Sequence, residues 1–357
     1  MSSLPSPSFV PHEAPSFYGL TRARLAERLA ERGLPAYRAG QLFSWVYHKR
    51  LRDAEGMTDL PRALRRDLVR VCDLRLPRTL SVRASRQQET HKLVLELEDG
   101  ARVECVSMRT ARRLTFCLSS QIGCALRCSF CATGLMGLKR NLRPEEIVAQ
   151  VIAMGDLHGW QDERFNIVFM GMGEPLANYH AVLEAIRILH DPQGLNLGAR
   201  RITVSTSGLV PQIAQLAEEG LQLGLAVSLH ATTDALRDQL VPVNRRWPLA
   251  GLLAAAKAYG QRTGRRVTIE YTLIAGVNDG PDDADRLAAF ARELPSKINL
   301  IPYNPVPGLS WRRPGPDAVE AFAARLYPRA PAVTVRQTMG DEIWAACGQL
   351  GGLGTEP

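Results

Sequence analysis

The chain has 357 residues, 45% of them hydrophobic and 22% charged, a composition that builds ordinary globular cores and excludes wholesale disorder. No apolar run approaches the roughly 18 residues that cross a bilayer, so a membrane-spanning helix and a membrane partner are excluded. Lys and Arg number 44 against 36 Asp and Glu, a net charge of +8, and residues 1–76 hold 13 of those cations against 8 anions. Such a surplus suits a polyanionic partner such as nucleic acid, although many proteins are basic without one.

Residues 1–19 contain Pro5, Pro7, Pro11 and Pro15, with neither a basic start nor an apolar block. They are expected to form a disordered leader, not an export signal, which places the protein in the cytoplasm. Thr21 is suited to cap a helix with Leu25 and Leu29 one turn apart, ended by Gly33. Gln41–Leu51 carries an apolar stripe of Leu42, Trp45 and Val46. Leu60, Leu64, Leu68 and Val71 recur at helical spacing, with Pro61 suited to the first helical position. Arg62, Arg65, Arg66 and Arg70 take the opposite face, which serves either solvation or RNA contact. Residues 20–76 thus read as a basic helical accessory domain.

A strand-rich connection over 77–110 follows. Leu80–Ala84, Lys92–Leu97 and Val103–Met108 read as strands, and Asp99-Gly100 as a hairpin turn. Strand-like runs then recur at Thr115–Leu118, Asn166–Met170, Ile202–Ser205, Gly224–Leu229, Val267–Ile274 and Ile298–Pro302. Helical patterning occupies 144–156, 177–189, 209–219, 248–262, 282–293 and 316–327, and a further strand is possible at Ala332–Arg336. Six strand–helix units predict an α/β fold, a partial (βα)6 barrel over 111–340 with ligands at the strand C-terminal ends. The segment 341–357 carries Cys347, and its Gly-rich end from Gly348 is expected to be mobile.

Seven cysteines in a chain without an export signal favour metal or thiol chemistry over a disulfide framework. Cys124, Cys128 and Cys131 lie within eight residues, directly after the first strand of the repeated units. Structural zinc would need a fourth ligand, for which Cys117 is the nearby candidate. A 4Fe–4S cluster held by three cysteines leaves one iron open. Gly171-Met172-Gly173-Glu174-Pro175 closes another strand; Gly173 lets backbone approach a ligand and Glu174 is placed to accept from an ammonium group. It is not a dinucleotide fingerprint, because Leu176 stands where the third glycine belongs. Ser205, Ser228, Leu229, His230 and Asn304 end successive strands. Each alone reads as a turn or a satisfied polar group, but jointly they describe a cofactor ring.

The spacing Cys-x3-Cys-x2-Cys, with Phe130 before the last cysteine, resembles the signature of radical S-adenosylmethionine (SAM) enzymes. Further stretches narrow the likeness: Phe43–Tyr47 with Met57–Leu60, Ser119–Gly134, Arg140–Leu142, Met170–Leu176, Ser205–Gly208, Ser228–Ala231, Pro302–Pro305 and Ala345–Leu350. From about Phe17 onward the chain resembles the dual-specificity RNA adenine methyltransferases, which methylate carbon-2 of adenine in 23S rRNA and in tRNA. The resemblance implies one 4Fe–4S cluster per chain on Cys124, Cys128 and Cys131. It also implies SAM held by Gly173, Glu174, Ser205, Ser228, Leu229, His230 and Asn304, with two SAM molecules consumed per methylation. An external one-electron reductant is required, and a monomer is expected.

Carbon-2 of adenine is electron-poor and has no lone pair, so it cannot attack a sulfonium methyl, whereas a carbon radical can add to it. By the resemblance, one SAM methylates Cys347. A second is cleaved to a 5′-deoxyadenosyl radical that takes a hydrogen from that methyl, and the methylene radical tethers the RNA. Glu104 then serves as the base for the carbon-2 proton. Cys117 displaces the tether through a transient Cys117–Cys347 disulfide, which a reducing cytosol reopens. From the residues alone, Cys347 reads as a free buried cysteine, Glu104 as an exposed member of a charge pair or a desolvated base, and Cys117 as core. Cys72 and Cys105 are assigned to packing. Two alternatives share these motifs: a sister family that methylates carbon-8 of the same rRNA adenosine, and a zinc-containing RNA-binding protein.

Overall fold

The Thr21 hydroxyl accepts the Arg24 N–H at 3.3 Å and so caps α1 (Arg22–Ala30). α2 (Arg38–Phe43) widens into a π-turn over Ser44–His48, and α3 (Arg62–Val71) follows Pro61. The arginine face of α3 forms as its period predicts: Leu64, Leu68 and Val71 are buried, and Arg62, Arg66 and Arg70 are exposed.

The computed structural model describes residues 14–86, 89–111, 113–160 and 165–351. Residues 1–13 of the expected leader lie outside that range, but residues 14–19 are ordered, against expectation. Phe17 is fully buried, its ring 5.4 Å from Phe43 and 5.3 Å from Tyr47, and its N–H donates to the Asp73 carbonyl at 2.8 Å. Burying a Phe side chain contributes roughly 1.5–3 kcal/mol, which outweighs the disordering influence of the flanking prolines. The N-terminal helices also dock onto the barrel through Arg22–Asp191 and Arg52–Asp156 ion pairs.

β1 (Arg78–Ala84), β2 (Thr90–Glu96), β3 (Arg102–Thr110) and β4 (Arg113–Cys117) form an antiparallel meander. The turn between β2 and β3 has Gly100 at φ +76°, as Asp-Gly predicts. A two-residue ladder of β5 (Gln121–Ile122) and β6 (Arg140–Asn141) frames the short α4 (Ala132–Leu135). Next come α5 (Pro144–Leu157), β7 (Phe165–Phe169), α6 (Tyr179–His190), β8 (Ile202–Thr206), α7 (Val210–Glu218) and β9 (Gly224–Ser228). They are followed by α8 (Asp234–Leu240), α9 (Leu249–Thr263), β10 (Val267–Leu273), α10 (Pro281–Arg292), β11 (Ser296–Pro302), α11 (Pro316–Leu326) and β12 (Val333–Val335).

Among the described residues, ten strands make one sheet in the order β1-β2-β3-β4-β7-β8-β9-β10-β11-β12, parallel from β4 onward. The six βα units therefore form the expected partial barrel, and the connection over 77–110 extends its sheet. Register fixes which side chains share a face. Lys92 pairs with Val106, Val94 with Glu104 and Cys117 with Val106, so Lys92, Glu104 and Cys117 point one way and Cys105 the other. α5 covers the Cys105 side, where His158 Nε2 meets Ser107 Oγ at 2.8 Å. The C-terminal segment covers the other.

That segment is held in place, against the expected mobility of its end. Thr133 Oγ1 donates to the Leu350 carbonyl (2.6 Å) and Gln349 Nε2 to the Pro305 carbonyl (3.1 Å). Residues 352–357 lie outside the described range. Among the described residues no helix is long and apolar enough to cross a membrane.

Candidate active site

The C-terminal ends of the parallel strands surround an open cleft, the place where βα folds bind their ligands. Cys124, Cys128, Cys131, Gly173, Glu174, Ser205, Ser228, His230, Asn304 and Cys347 all line it. Leu229 does not. Its side chain is buried beneath, and its carbonyl accepts from Arg237 Nε at 3.0 Å.

Two glycines set the cysteine loop and its neighbour. Gly123 has φ +74°, and a Cβ there would fall 1.8 Å from the Gly137 carbonyl oxygen, which also accepts the Cys124 N–H. Gly173 has φ +95°, pressed against Gln121, whose Oε1 accepts the Glu174 N–H at 2.8 Å. Burial pushes the Cys124 thiol up to about 12 and raises Cys128 and Cys131 as well, with the Cys131 charge adding to the rise of Cys124 and Cys128 and the Cys347 charge to that of Cys131. Three such thiols ionise together only around a cation.

No three Cys, His, Asp or Glu among the described residues are grouped to hold one metal ion. Cys117, the fourth ligand that zinc would need, lines a different cavity. Three thiols spaced around a roomy cleft fit a multi-iron cluster, which distributes its ligands over separate irons.

Glu174 is tied across the cleft. Its Oε1 accepts the Leu176 N–H (3.0 Å) and its Oε2 the Ser207 N–H (2.8 Å), while burial pushes its pKa up to about 7. His230 sits at φ +57° with its ring against Phe130. Burial, then the Arg237 charge, lowers its pKa to about 3, so it is neutral; Nδ1 accepts the Thr272 N–H at 3.0 Å, which leaves the proton on Nε2. Asn304 Nδ2 donates to the Cys347 carbonyl at 3.0 Å.

A second, smaller cavity is lined by Cys117, Arg336, Met108 and Leu350, together with Cys347, Asn304, Met170 and Ile301 from the first. Cys347 thus lies on the wall between the three-cysteine cleft and Cys117. Both thiols are free, and burial, then the Cys347 charge, pushes Cys117 up to about 12. Glu104 opens on neither cavity. It is buried under the C-terminal segment, with Gly351 N–H donating to its Oε2 at 2.9 Å and Lys92 Nζ 3.5 Å from its Oε1.

Sequence patterning did not expose the supports. Arg237, fully buried on α8, donates to the carbonyls of Ser207, Ser228 and Leu229 and to Asn244 Oδ1. Asn278 Nδ2 bridges the carbonyls of His230 and Thr272. The available signal was an arginine in a short, mostly polar segment, which fits a surface position equally well.

The Radical SAM superfamily pattern matches residues 118–289, and the Ribosomal RNA large subunit methyltransferase N-terminal domain matches residues 16–74. The chain is 49% identical over 334 residues to the probable dual-specificity RNA methyltransferase RlmN of Symbiobacterium thermophilum, covering 93% of this chain and 90% of that one. It is 46% identical to the dual-specificity RNA methyltransferase RlmN of Anaeromyxobacter dehalogenans, covering 96% and 93%. A crystal structure of a radical SAM methyltransferase from Sphaerobacter thermophilus superposes with a TM-score of 0.89 at 48% identity, covering 94% of this chain and 98% of that one. The superfamily implies a 4Fe–4S cluster and SAM, and the enzyme class implies an RNA substrate. The chain therefore belongs to the RlmN family of radical SAM dual-specificity RNA methyltransferases.

Proposed function

We propose that this enzyme methylates carbon-2 of adenosine in 23S rRNA and in tRNA by way of an S-methylated Cys347 and a protein–RNA adduct. The observation that carries the reading is the place of Cys347 on the wall shared by the three-cysteine cleft and the Cys117 cavity. A sulfur there is within a short swing of both a cofactor and a second thiol. When bound on Cys124, Cys128 and Cys131, the cluster supplies one electron to SAM. Two SAM molecules are consumed per methyl group, and the electron comes from an external reductant.

The chain's own residues divide the remaining work. Gly173, Glu174, Ser205, Ser228, His230 and Asn304 bind and orient SAM: His230 offers an Nε2 proton, and Leu229, its N–H given to the Glu270 carbonyl and its carbonyl accepting from Arg237, supports Ser228 and His230 from beneath. Glu104 takes the carbon-2 proton, and the unpaired electron that radical addition leaves in the ring passes to the oxidised form of the one-electron reductant. The Cys117 thiolate attacks Cys347 sulfur; the S–S bond forms as the bond from Cys347 sulfur to the methylene breaks, its electron pair leaving on the carbon, which takes up the proton held on Glu104 to become the methyl group. Reduction of the Cys117–Cys347 disulfide, in the cytoplasm, restores the pair.

The helices over 20–76 present Arg62, Arg66 and Arg70 to RNA, while 77–110, 111–340 and 341–357 supply the base, the barrel and the methyl carrier, all within one monomer. The flipping of the target base out of its stack costs a few kcal/mol, offset by such contacts. Replacing Cys117 with Ala in the reconstituted enzyme should accumulate a covalent protein–RNA species that Cys347→Ala never forms, with methyl label at carbon-2 of the wild-type product. Label at carbon-8, or no adduct in Cys117→Ala, would refute the reading.

A further inference from the structure

One buried charge has no part in the chemistry so far. Lys92 Nζ lies 3.5 Å from Glu104 Oε1, with side chains only 3% and 7% exposed. Both reach from adjacent strands to the segment that carries Cys347. Lys92 Nζ donates to the Trp344 carbonyl at 3.2 Å, and the Gly351 N–H donates to Glu104 Oε2 at 2.9 Å. The methyl-carrying cysteine lies in the loop between these two clips.

We propose that Lys92 is the positioning residue of the proton-transfer step, fixing the Glu104 carboxylate relative to the Cys347 loop through a buried ion pair. The inference rests on the roles proposed above for Glu104 and Cys347. A carboxyl removed from water holds a proton unless a cation stands beside it, and a protonated carboxyl cannot accept another. The dependence is mutual: burial lowers the Lys92 pKa, and the Glu104 charge opposes that fall.

The other titratable groups that act on the pair are Arg83 on β1 and Cys105 on β3, while Cys117, Cys347 and the buried Arg336 act on one another. Among the described residues Lys92 is the cation within ion-pairing distance of Glu104. In the step itself the carbon-2 proton passes to a Glu104 oxygen, its bonding pair stays in the purine ring, the odd electron of the radical adduct passes to the oxidised form of the one-electron reductant, and Lys92 keeps its own protons. Oε2, held by the Gly351 amide, is the oxygen that can exchange that bond for the incoming proton.

The test uses full-length, cluster-reconstituted enzyme and an RNA fragment containing the target adenosine. Adduct formation and clearance are followed on denaturing gels from about pH 6.5 to 9.5, with SAM cleavage and Cys347 S-methylation measured alongside. Lys92→Met should still cleave SAM, methylate Cys347 and form the adduct, but clear it about 10²-fold more slowly at neutral pH. Clearance should recover as the pH rises, because an uncompensated buried carboxyl ionises later. Lys92→Arg should stay within about threefold of wild type.

If Met disrupts folding, Lys92→Gln keeps a donor for Trp344 and removes only the charge, with the same expectations. Wild-type clearance with an unshifted pH profile would overturn the proposal. So would an equal loss of SAM cleavage, S-methylation and clearance, which marks a merely structural role. Absence of adduct in the Cys117→Ala control would instead strike the underlying reaction, and the role of Lys92 would fall with it.

Discussion

Replacing Arg237 with Met tests whether the SAM ring depends on a buried cation that touches no cofactor-facing surface. Met keeps much of the volume but removes the bonds to the carbonyls of Ser207 (2.7 Å), Ser228 (3.2 Å) and Leu229 (3.0 Å) and to Asn244 Oδ1 (2.9 Å). Hydrogen bonds to a charged group contribute about 1.5–3 kcal/mol each, so the gross loss is roughly 6–12 kcal/mol. Against it stands the relief of burying the charge. Burial lowers the Arg237 pKa from 12.5 to about 10, which corresponds to roughly 3 kcal/mol.

Relaxation of neighbours absorbs more, and a net loss of about 3–5 kcal/mol is expected, as for other broken buried charge networks. With an unfolding entropy near 0.7 kcal/mol/K for a chain of this length, the melting temperature should fall by about 4–7 °C. Ser228 and Ser207 lose their tether, so SAM should bind roughly tenfold more weakly by titration calorimetry. A melting temperature within about 1 °C of wild type and an unchanged SAM affinity would show that the network is dispensable.

Three further outcomes follow from other parts of the site. Because the Glu174 pKa is raised to about 7 from 4.5, its stabilising contribution is complete below pH 4.5 and is lost as pH rises through 7. The stability of wild type relative to Glu174→Gln should therefore decline over that window by up to about 3 kcal/mol in paired unfolding experiments on cluster-free protein; a flat difference would contradict it. Gly123→Ala forces a Cβ into the Gly137 carbonyl at positive φ, which costs about 1–2 kcal/mol before the clash. Iron content after reconstitution should drop by roughly half or more, and full loading would show that the loop tolerates the change. Charge reversal of the exposed Arg62, Arg66 and Arg70 should weaken RNA binding at least about tenfold and flatten its salt dependence by about two contacts. SAM cleavage without RNA should be unaffected; equal RNA binding would remove α3 from the interface.

Much of the framework was legible because its signals are local. The Asp99-Gly100 turn, the Thr21 cap and the apolar runs that become β7 to β11 each depend on neighbours in sequence, and the structure places them within a residue or two. Glycine and cysteine spacing likewise pointed to the cleft, since Gly173, Glu174 and the three cysteines come from two adjacent loops. What escaped was decided by tertiary contact. Helix α8 is short and mostly polar, and its reason to exist is the network around Arg237. Phe17 and Tyr18 read as part of a Pro-rich leader until α2 and Tyr47 provide a pocket. Nothing in the strand pattern over Lys92–Leu97 singles out Lys92, because the carbonyl it donates to, that of Trp344, lies some 250 positions away.

The alternation of β3 and β4 also governs sulfur traffic. Cys105 and Cys117 lie on neighbouring strands yet on opposite sides of the sheet, and a disulfide needs Cβ atoms about 3.8 Å apart and facing. Cys105 is sealed beneath α5 with its thiol pKa raised by burial, so in the proposed cycle it can neither intercept Cys347 nor consume Cys117. Slippage of β4 by one residue would turn Cys117 toward the helix side and leave Cys347 without a partner. The pleat acts as a partition, and fidelity of thiol exchange is written into strand pairing instead of into any additional side chain.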